Sequence, residues 1–162
     1  MNTSFEGKST TGKNEWLTPP GILKCLGEFD LDPCSPVNRP WDTAKRHFTI
    51  EDNGLIQPLT GRVFCNPPYD TRLIIQFIKK CAIHQNSIAL TFARTDTKLF
   101  HEYVFRYADS LLFLKGRLKF HHVTGEEAGT AGAPSCLIAF NKENTKVLEN
   151  CGLEGKLVKF SS

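Results

Sequence analysis

The sequence predicts an α/β fold, a mostly parallel sheet covered on both faces by helices. Short apolar runs alternate with stretches of helical periodicity along the chain. One of those runs, Arg62-Val63-Phe64-Cys65, ends abruptly at Asn66-Pro67-Pro68-Tyr69. A rigid elbow at a strand's carboxyl end is where open sheets of this class bind ligands. At 162 residues the chain is one domain with room for a sizeable core.

Residues 1 to 14 are rich in Ser, Thr, Gly and Lys and read as a disordered polar tail, leaving 15 to 162 as the single domain. Thr18-Pro19-Pro20 opens a helix, with Thr18 as its N-cap and Ile22, Leu23 and Leu26 on one face. Phe29-Asp30-Leu31-Asp32 is a short strand running into the loop Pro33-Cys34-Ser35-Pro36. Residues 44 to 50 hold a helical turn and a strand, closed by the turn Glu51-Asp52-Asn53-Gly54. Beyond the elbow, 70 to 84 is a helix burying Leu73, Ile74, Phe77, Ile78 and Ala82, and 87 to 92 a buried strand. Asp96 or Thr97 caps a helix through Tyr107, and 111 to 120 is strand-like. Residues 121 to 134 are expected to form a mobile loop, 134 to 140 a last strand, and the remainder a short polar end.

Composition narrows the function classes. A net charge of +3 permits a polyanionic partner without demanding one. The six cysteines, Cys25, Cys34, Cys65, Cys81, Cys136 and Cys151, include no Cys-x-x-Cys pair and resemble neither a metal site nor a secreted disulfide framework. His47, His84, His101, His121 and His122 lack metal-ligand spacing and are taken as surface or packing residues. No metal is expected. No secretory signal or apolar run near membrane-spanning length is present, so a cytoplasmic location is expected.

The elbow carries a specific chemistry. Proline restricts its own φ and the conformation of the residue before it, so two in succession hold the Asn66 side chain and the Pro67 carbonyl in place. Two acceptors so placed take both hydrogens of an NH₂ group and draw its lone pair out of conjugation. Tyr69 supplies a ring on which a planar base stacks. Asp32-Pro33 ends the first strand, where a carboxylate can pair with a cationic ligand group. Neither G-x-G-x-x-G nor a Walker loop is present, which disfavours NAD and ATP. S-adenosylmethionine carries no phosphate and needs no such cradle.

The chain resembles the small phage-type DNA adenine-N6 methyltransferases from Trp16 to Phe140. The likeness rests on Trp16-Leu17-Thr18-Pro19, Phe29-Asp30-Leu31-Asp32-Pro33-Cys34, Glu51-Asp52-Asn53-Gly54-Leu55, Val63 to Tyr69, Arg94-Thr95-Asp96-Thr97, Gly116-Arg117-Leu118-Lys119-Phe120 and Ser135-Cys136-Leu137-Ile138. The resemblance implies a compact Rossmann-like methyltransferase three-layer sandwich with an antiparallel edge near the C-terminus. It implies S-adenosylmethionine as cofactor and double-stranded DNA as partner. Thr18, Pro19, Asp32, Pro33 and Asn66 match positions on the cofactor side. Asp52, with Glu51 beside it, matches an acid holding either the ribose hydroxyls or the adenine amine. Asn66, Pro67, Pro68 and Tyr69 match the catalytic elbow, and Phe120 the aromatic that stacks on a flipped base. The loop after Asp32 lacks the glycines many methyltransferases carry there, and no region is long enough for a separate target-recognition domain.

Lys115, Arg117, Lys119 and His121 alternate with Leu114, Gly116, Leu118 and Phe120. On a continuous strand this makes one basic and one apolar face, and with Arg94 and Lys98 a surface for phosphates. The same elbow also serves methylation of RNA adenine or of a protein glutamine amide. A non-catalytic DNA-binding module keeping the fold is the remaining alternative.

Overall fold

The computed structural model describes residues 16 to 160, and the expected tail 1 to 14 lies outside the described residues. Helix α1 (Pro20–Leu26) precedes strands β1 (Leu31–Asp32), β2 (Arg46–His47) and β3 (Val63–Cys65). Helix α2 (Thr71–His84) and strand β4 (Ser87–Phe92) follow the elbow. A π-helical turn (Phe100–Val104) continuing into α3 (Phe105–Tyr107) leads to β5 (Ser110–Leu114). Strands β6 (Lys119–His121), β7 (Glu127–Thr130) and β8 (Ser135–Ala139), helix α4 (Lys142–Asn150) and strand β9 (Gly155–Lys159) complete the order.

Seven strands form one sheet in the order β2-β1-β3-β4-β8-β5-β9, while β6 and β7 form a separate antiparallel ribbon. Strands β2, β1, β3 and β4 pair in parallel. Strand β8 runs antiparallel to both β4 and β5, and β9 antiparallel to β5. The sheet is thus mostly parallel with an antiparallel edge strand at the C-terminal end, as expected, and with a second reversed strand, β8, inside it.

Successive residues of the central strands serve opposite faces. Val63 and Cys65 of β3, Ala89 of β4 and Ile138 of β8 pack with Phe77, Ile78 and Cys81 of α2 and with Phe100 and Val104. Phe64, Ile88, Leu90 and Leu137 pack on the other face with Ile22 and Leu26 of α1 and Leu148 of α4. Burial on both faces explains why these strands read as continuous apolar runs rather than alternating ones.

Helix α2 starts where the elbow stops. The Asp70 carboxylate accepts from the backbone N–H of Arg72 (3.0 Å) and Leu73 (3.1 Å), satisfying two otherwise orphaned donors. The expected cap at Thr97 also forms, its hydroxyl accepting from the Phe100 N–H at 3.4 Å.

Three expectations need correction. Thr18 does not cap α1: the N-cap is Pro19, without a side-chain cap, and Pro20 fills the first turn. The stretch 111 to 120 is not one strand. Gly116 takes φ 75°, a left-handed conformation that turns the chain between β5 and β6. The alternating basic face therefore does not form. Lys115 sits 3.4 Å from Glu154, Lys119 sits 3.9 Å from Glu127, and Arg117 donates to the Ala131 carbonyl at 3.2 Å. Third, the end after Phe140 is structured: Asn141 caps α4 by accepting from the Asn144 N–H at 2.9 Å, and β9 pairs with β5. An edge strand and a short amphipathic helix bury only one side each, so their composition stays polar. The stretch 121 to 134 contains β7, paired with β6.

A Cβ placed at Gly54 would overlap the backbone carbonyl of Pro33, so the turn 51 to 54 lies directly against the loop leaving β1. Gly54→Ala is expected to lower stability by about 1–3 kcal/mol, seen as a lower urea midpoint with an unchanged m value.

Candidate active site

The parallel strands β1 and β3 end side by side, and each ends in a polar residue: Asp32 finishes β1 and Asn66 follows β3. Two cavities open at this edge of the sheet. The first, about 370 Å³, is lined by Thr18, Asp32, Pro33, Asn66 and Pro68, with Ile50, Leu55, Leu73 and Phe77 among its apolar walls. The second, about 1150 Å³, is lined by Pro67, Tyr69, Phe92 and Phe120, with Arg72, Arg94 and Lys98 among its polar residues. Alternate residues of the elbow thus face opposite cavities, and Trp16 lines both.

Asp32 is 4% exposed. Its carboxylate accepts the Cys34 N–H at 3.0 Å and the Thr43 hydroxyl. Thr43 is itself held by its backbone N–H, which donates to His47 Nε2 at 3.2 Å. Burial pushes the Asp32 pKa up to about 6, against the lowering effect of the Thr43 and Cys34 hydrogen bonds and of the Arg39 charge. Among the described residues, no Lys, Arg or His lines the first cavity. Asp32 is the one ionisable carboxylate among the described residues of a lining whose other polar side chains, such as Thr18, Ser35, Thr49 and Asn53, are neutral, and it suits a cationic group rather than a phosphate.

The Asn66 amide nitrogen donates to the Trp16 carbonyl at 2.8 Å and to the Thr18 hydroxyl at 3.1 Å. Behind it, the Cys34 thiol donates to the Asn66 carbonyl at 3.3 Å and lies 3.6 Å from the Cys65 sulfur. Burial pushes the Cys34 thiol up, and contacts with the Cys34 and Cys81 thiols push Cys65 well up, so both stay protonated near neutral pH. They act as packing and hydrogen-bonding groups behind the elbow rather than as nucleophiles.

Tyr69 stacks on Phe92 with ring centroids 4.9 Å apart and planes 4° from parallel, and Phe120 meets both rings edge-on at 6.2 and 6.3 Å. Burial holds the Tyr69 phenol well above its ordinary range, so it remains neutral. Arg94 lies over the Phe92 ring, 5.5 Å from its centroid.

The other sequence-predicted residues distribute as follows. Pro19 caps α1 and is not among the residues lining either cavity. Glu51 and Asp52 are exposed and outside the first cavity, although Thr49, Ile50, Asn53, Gly54 and Leu55 line it. The Asp52 carboxylate folds back to accept the Thr49 N–H at 2.8 Å. Lys115, Arg117 and Lys119 do not line the second cavity, whereas Arg94, Lys98 and Phe120 do. Sequence reasoning missed Phe92, Arg72 and Thr43. Phe92 was detectable in principle: it ends the strand paired next to β3, as Asn66 follows its neighbour. Among the described residues, no group of three or more His, Cys, Asp or Glu is arranged to hold a metal ion, and no helix is long and apolar enough to cross a membrane.

A family model, DNA N-6-adenine-methyltransferase (Dam), matches residues 8–151. The chain belongs to this family. Membership implies methylation of N6 of adenine in DNA. No curated protein matches the sequence. The Asn66-Pro67-Pro68-Tyr69 elbow between two cavities and the acid at the adjacent strand end are features whose chemistry agrees with the family's reaction.

Folding raises the Asp32 pKa from 3.8 to about 6, so the folded chain favours the protonated acid. Its ionised form costs stability, a cost absent at low pH, growing between roughly pH 4 and 6, and complete above that. Asp32→Asn is expected to stabilise the ligand-free protein at neutral pH by on the order of 1–3 kcal/mol. Chemical denaturation across this pH range checks both the gain and its disappearance in acid.

Proposed function

We propose that this chain transfers a methyl group from S-adenosylmethionine to N6 of adenine in duplex DNA, with the donor in the smaller cavity and the adenine in the larger. The observation that carries this reading is the partition of the two cavities by the elbow, with Asn66 and Pro68 facing one and Pro67 and Tyr69 the other.

The smaller cavity fits the donor by its chemistry. Its volume of about 370 Å³ lies within the range of ordinary ligand pockets, about 300–1,000 Å³. The Asp32 carboxylate would hold the donor's ammonium group, and Ile50, Leu55, Leu73 and Phe77 would offer apolar surface to a base. When bound, S-adenosylmethionine supplies an electrophilic methyl carbon.

Everything else in the reaction is asked of the chain. Asn66 Oδ1 and the Pro67 carbonyl accept the two hydrogens of the adenine amine and stabilise the positive charge that develops on it. The amine loses its proton after attack, so no strong general base is required. Tyr69, held parallel to Phe92, presents a stacking edge of the cavity, and Phe120 closes its side. An adenine inside a duplex must leave the stack to reach this depth. Arg94, Lys98 and Arg72 at the second cavity would take the flanking phosphates. These replace the broken stripe of Lys115, Arg117 and Lys119 as the leading phosphate contacts.

Mass spectrometry of nucleosides from DNA incubated with protein and donor tests the proposal, and absence of N6-methyladenine with donor binding intact would overturn it. Asn66→Ala is expected to reduce the methylation rate about 10²–10³-fold with donor affinity, measured by calorimetry, little changed. Donor binding favours the Asp32 carboxylate, so affinity is expected to weaken as pH falls through about 6. Asp32→Asn should weaken binding at neutral pH and remove that dependence.

A further inference from the structure

Resemblance assigns Thr18 to the donor. Its hydrogen bonding ties it to Asn66 as well. Thr18 is 1% exposed, and its hydroxyl lies 3.1 Å from the Asn66 amide nitrogen. That nitrogen carries two hydrogens, and the second goes to the Trp16 carbonyl at 2.8 Å. The two acceptors have different consequences. A hydroxyl can donate or accept, so Thr18 alone would tolerate either orientation of the amide. A carbonyl can only accept, so an inverted Asn66 would set Oδ1 against the Trp16 oxygen, two acceptors facing each other. Trp16 therefore selects the orientation, and Thr18 holds the remaining hydrogen.

The segment carrying both acceptors is itself immobilised. Leu17, 2% exposed, exchanges two backbone hydrogen bonds with His121 of β6, at 2.8 and 3.0 Å. Pro19 and Pro20 restrict the backbone immediately after Thr18. With both amide hydrogens engaged, Oδ1 is directed away from Trp16 and Thr18, and no hydrogen bond to it occurs among the described residues. Asn66 is left with its acceptor available and its donor saturated. An amine substrate needs that polarity, and an inverted amide would present hydrogens to hydrogens.

We propose that Thr18 is a positioning residue, which together with the Trp16 carbonyl locks the Asn66 amide with Oδ1 toward the substrate amine. The inference rests on the proposed amine methylation for its consequence, while the lock itself is a property of the ligand-free chain. Thr18→Val keeps the shape and removes the acceptor. It is expected to slow single-turnover methylation of DNA about 10- to 100-fold while affinity for S-adenosylhomocysteine, measured by calorimetry, stays within about threefold. Thr18→Ser, which restores the hydroxyl, should recover most of the rate. Independently of activity, exchange of the Asn66 side-chain amide protons, followed by ¹⁵N NMR, should accelerate about tenfold in Thr18→Val and return in Thr18→Ser. Thr18→Ala serves the same comparisons if valine prevents folding.

A variant that loses S-adenosylhomocysteine affinity as steeply as rate would make Thr18 a donor contact and overturn the inference. Unchanged rate and unchanged proton exchange would overturn it equally. Wild-type protein that binds S-adenosylhomocysteine but leaves DNA unmethylated would sink the proposed reaction instead, and the exchange measurement would still decide whether Thr18 locks Asn66.

Discussion

Parallel pairing of β1 with β3, through Leu31 opposite Val63, brings Asp32 and Asn66 to the same edge of the sheet. Parallel strands require crossovers, and the crossover from β1 to β3 contains the loops that wall the smaller cavity. Leu31, Val63, Phe64 and Cys65 are each 0% exposed, so a shift of either strand would drag a buried side chain across a close-packed core. The relative placement of a buried acid and a polarised amide is therefore set by core packing rather than by either loop. Polar groups held on such a close-packed scaffold have little freedom to shift.

The elbow converts that placement into a partition. Pro67 and Pro68 restrict the backbone as it leaves β3, and the Asp70 N–H closes a turn across Tyr69 by donating to the Pro68 carbonyl at 2.8 Å. Asn66 and Pro68 face the acid, while Pro67 and Tyr69 face the aromatic pair. Electrostatics differ across the wall. On one side, among the described residues, the lining holds one buried carboxylate and no cation, with the Arg39 charge acting on it from outside the lining. On the other, Arg72, Arg94 and Lys98 line a larger opening beside three aromatic rings. Among the described residues, the wall therefore separates a lining that carries a buried acid from one in which cations outnumber the single acid, Asp70.

Much of this was legible in the chain. The continuous apolar runs 62 to 65 and 87 to 92, the period of helix 70 to 84 and the elbow all follow from local rules that burial on two faces reinforces. Asp32 stood out because it ends such a run before a proline. The failures have a common cause. Lys115, Arg117 and Lys119 alternate as a strand would, but Gly116 permits a left-handed turn and each cation finds a separate partner. Helix α4 and strand β9 lie at the border of the core, where a few apolar residues suffice and periodicity is faint. Phe92 looks like any other strand residue until its neighbour across the sheet is known.

By itself the sequence determined the carboxyl ends of β1 and β3, the Asn66-Pro67-Pro68-Tyr69 segment and the chemistry those residue types can perform, because proline geometry and hydrophobic periodicity act over a few neighbouring residues. Only the tertiary structure decided that Thr18 faces Asn66 instead of capping α1, that Tyr69 lies parallel to Phe92, and that Asp52 turns toward Thr49. Those outcomes pair groups many residues apart or choose among acceptors of similar strength. The choice falls to whichever partner the packed core holds within hydrogen-bonding distance, and local sequence carries no record of that distance.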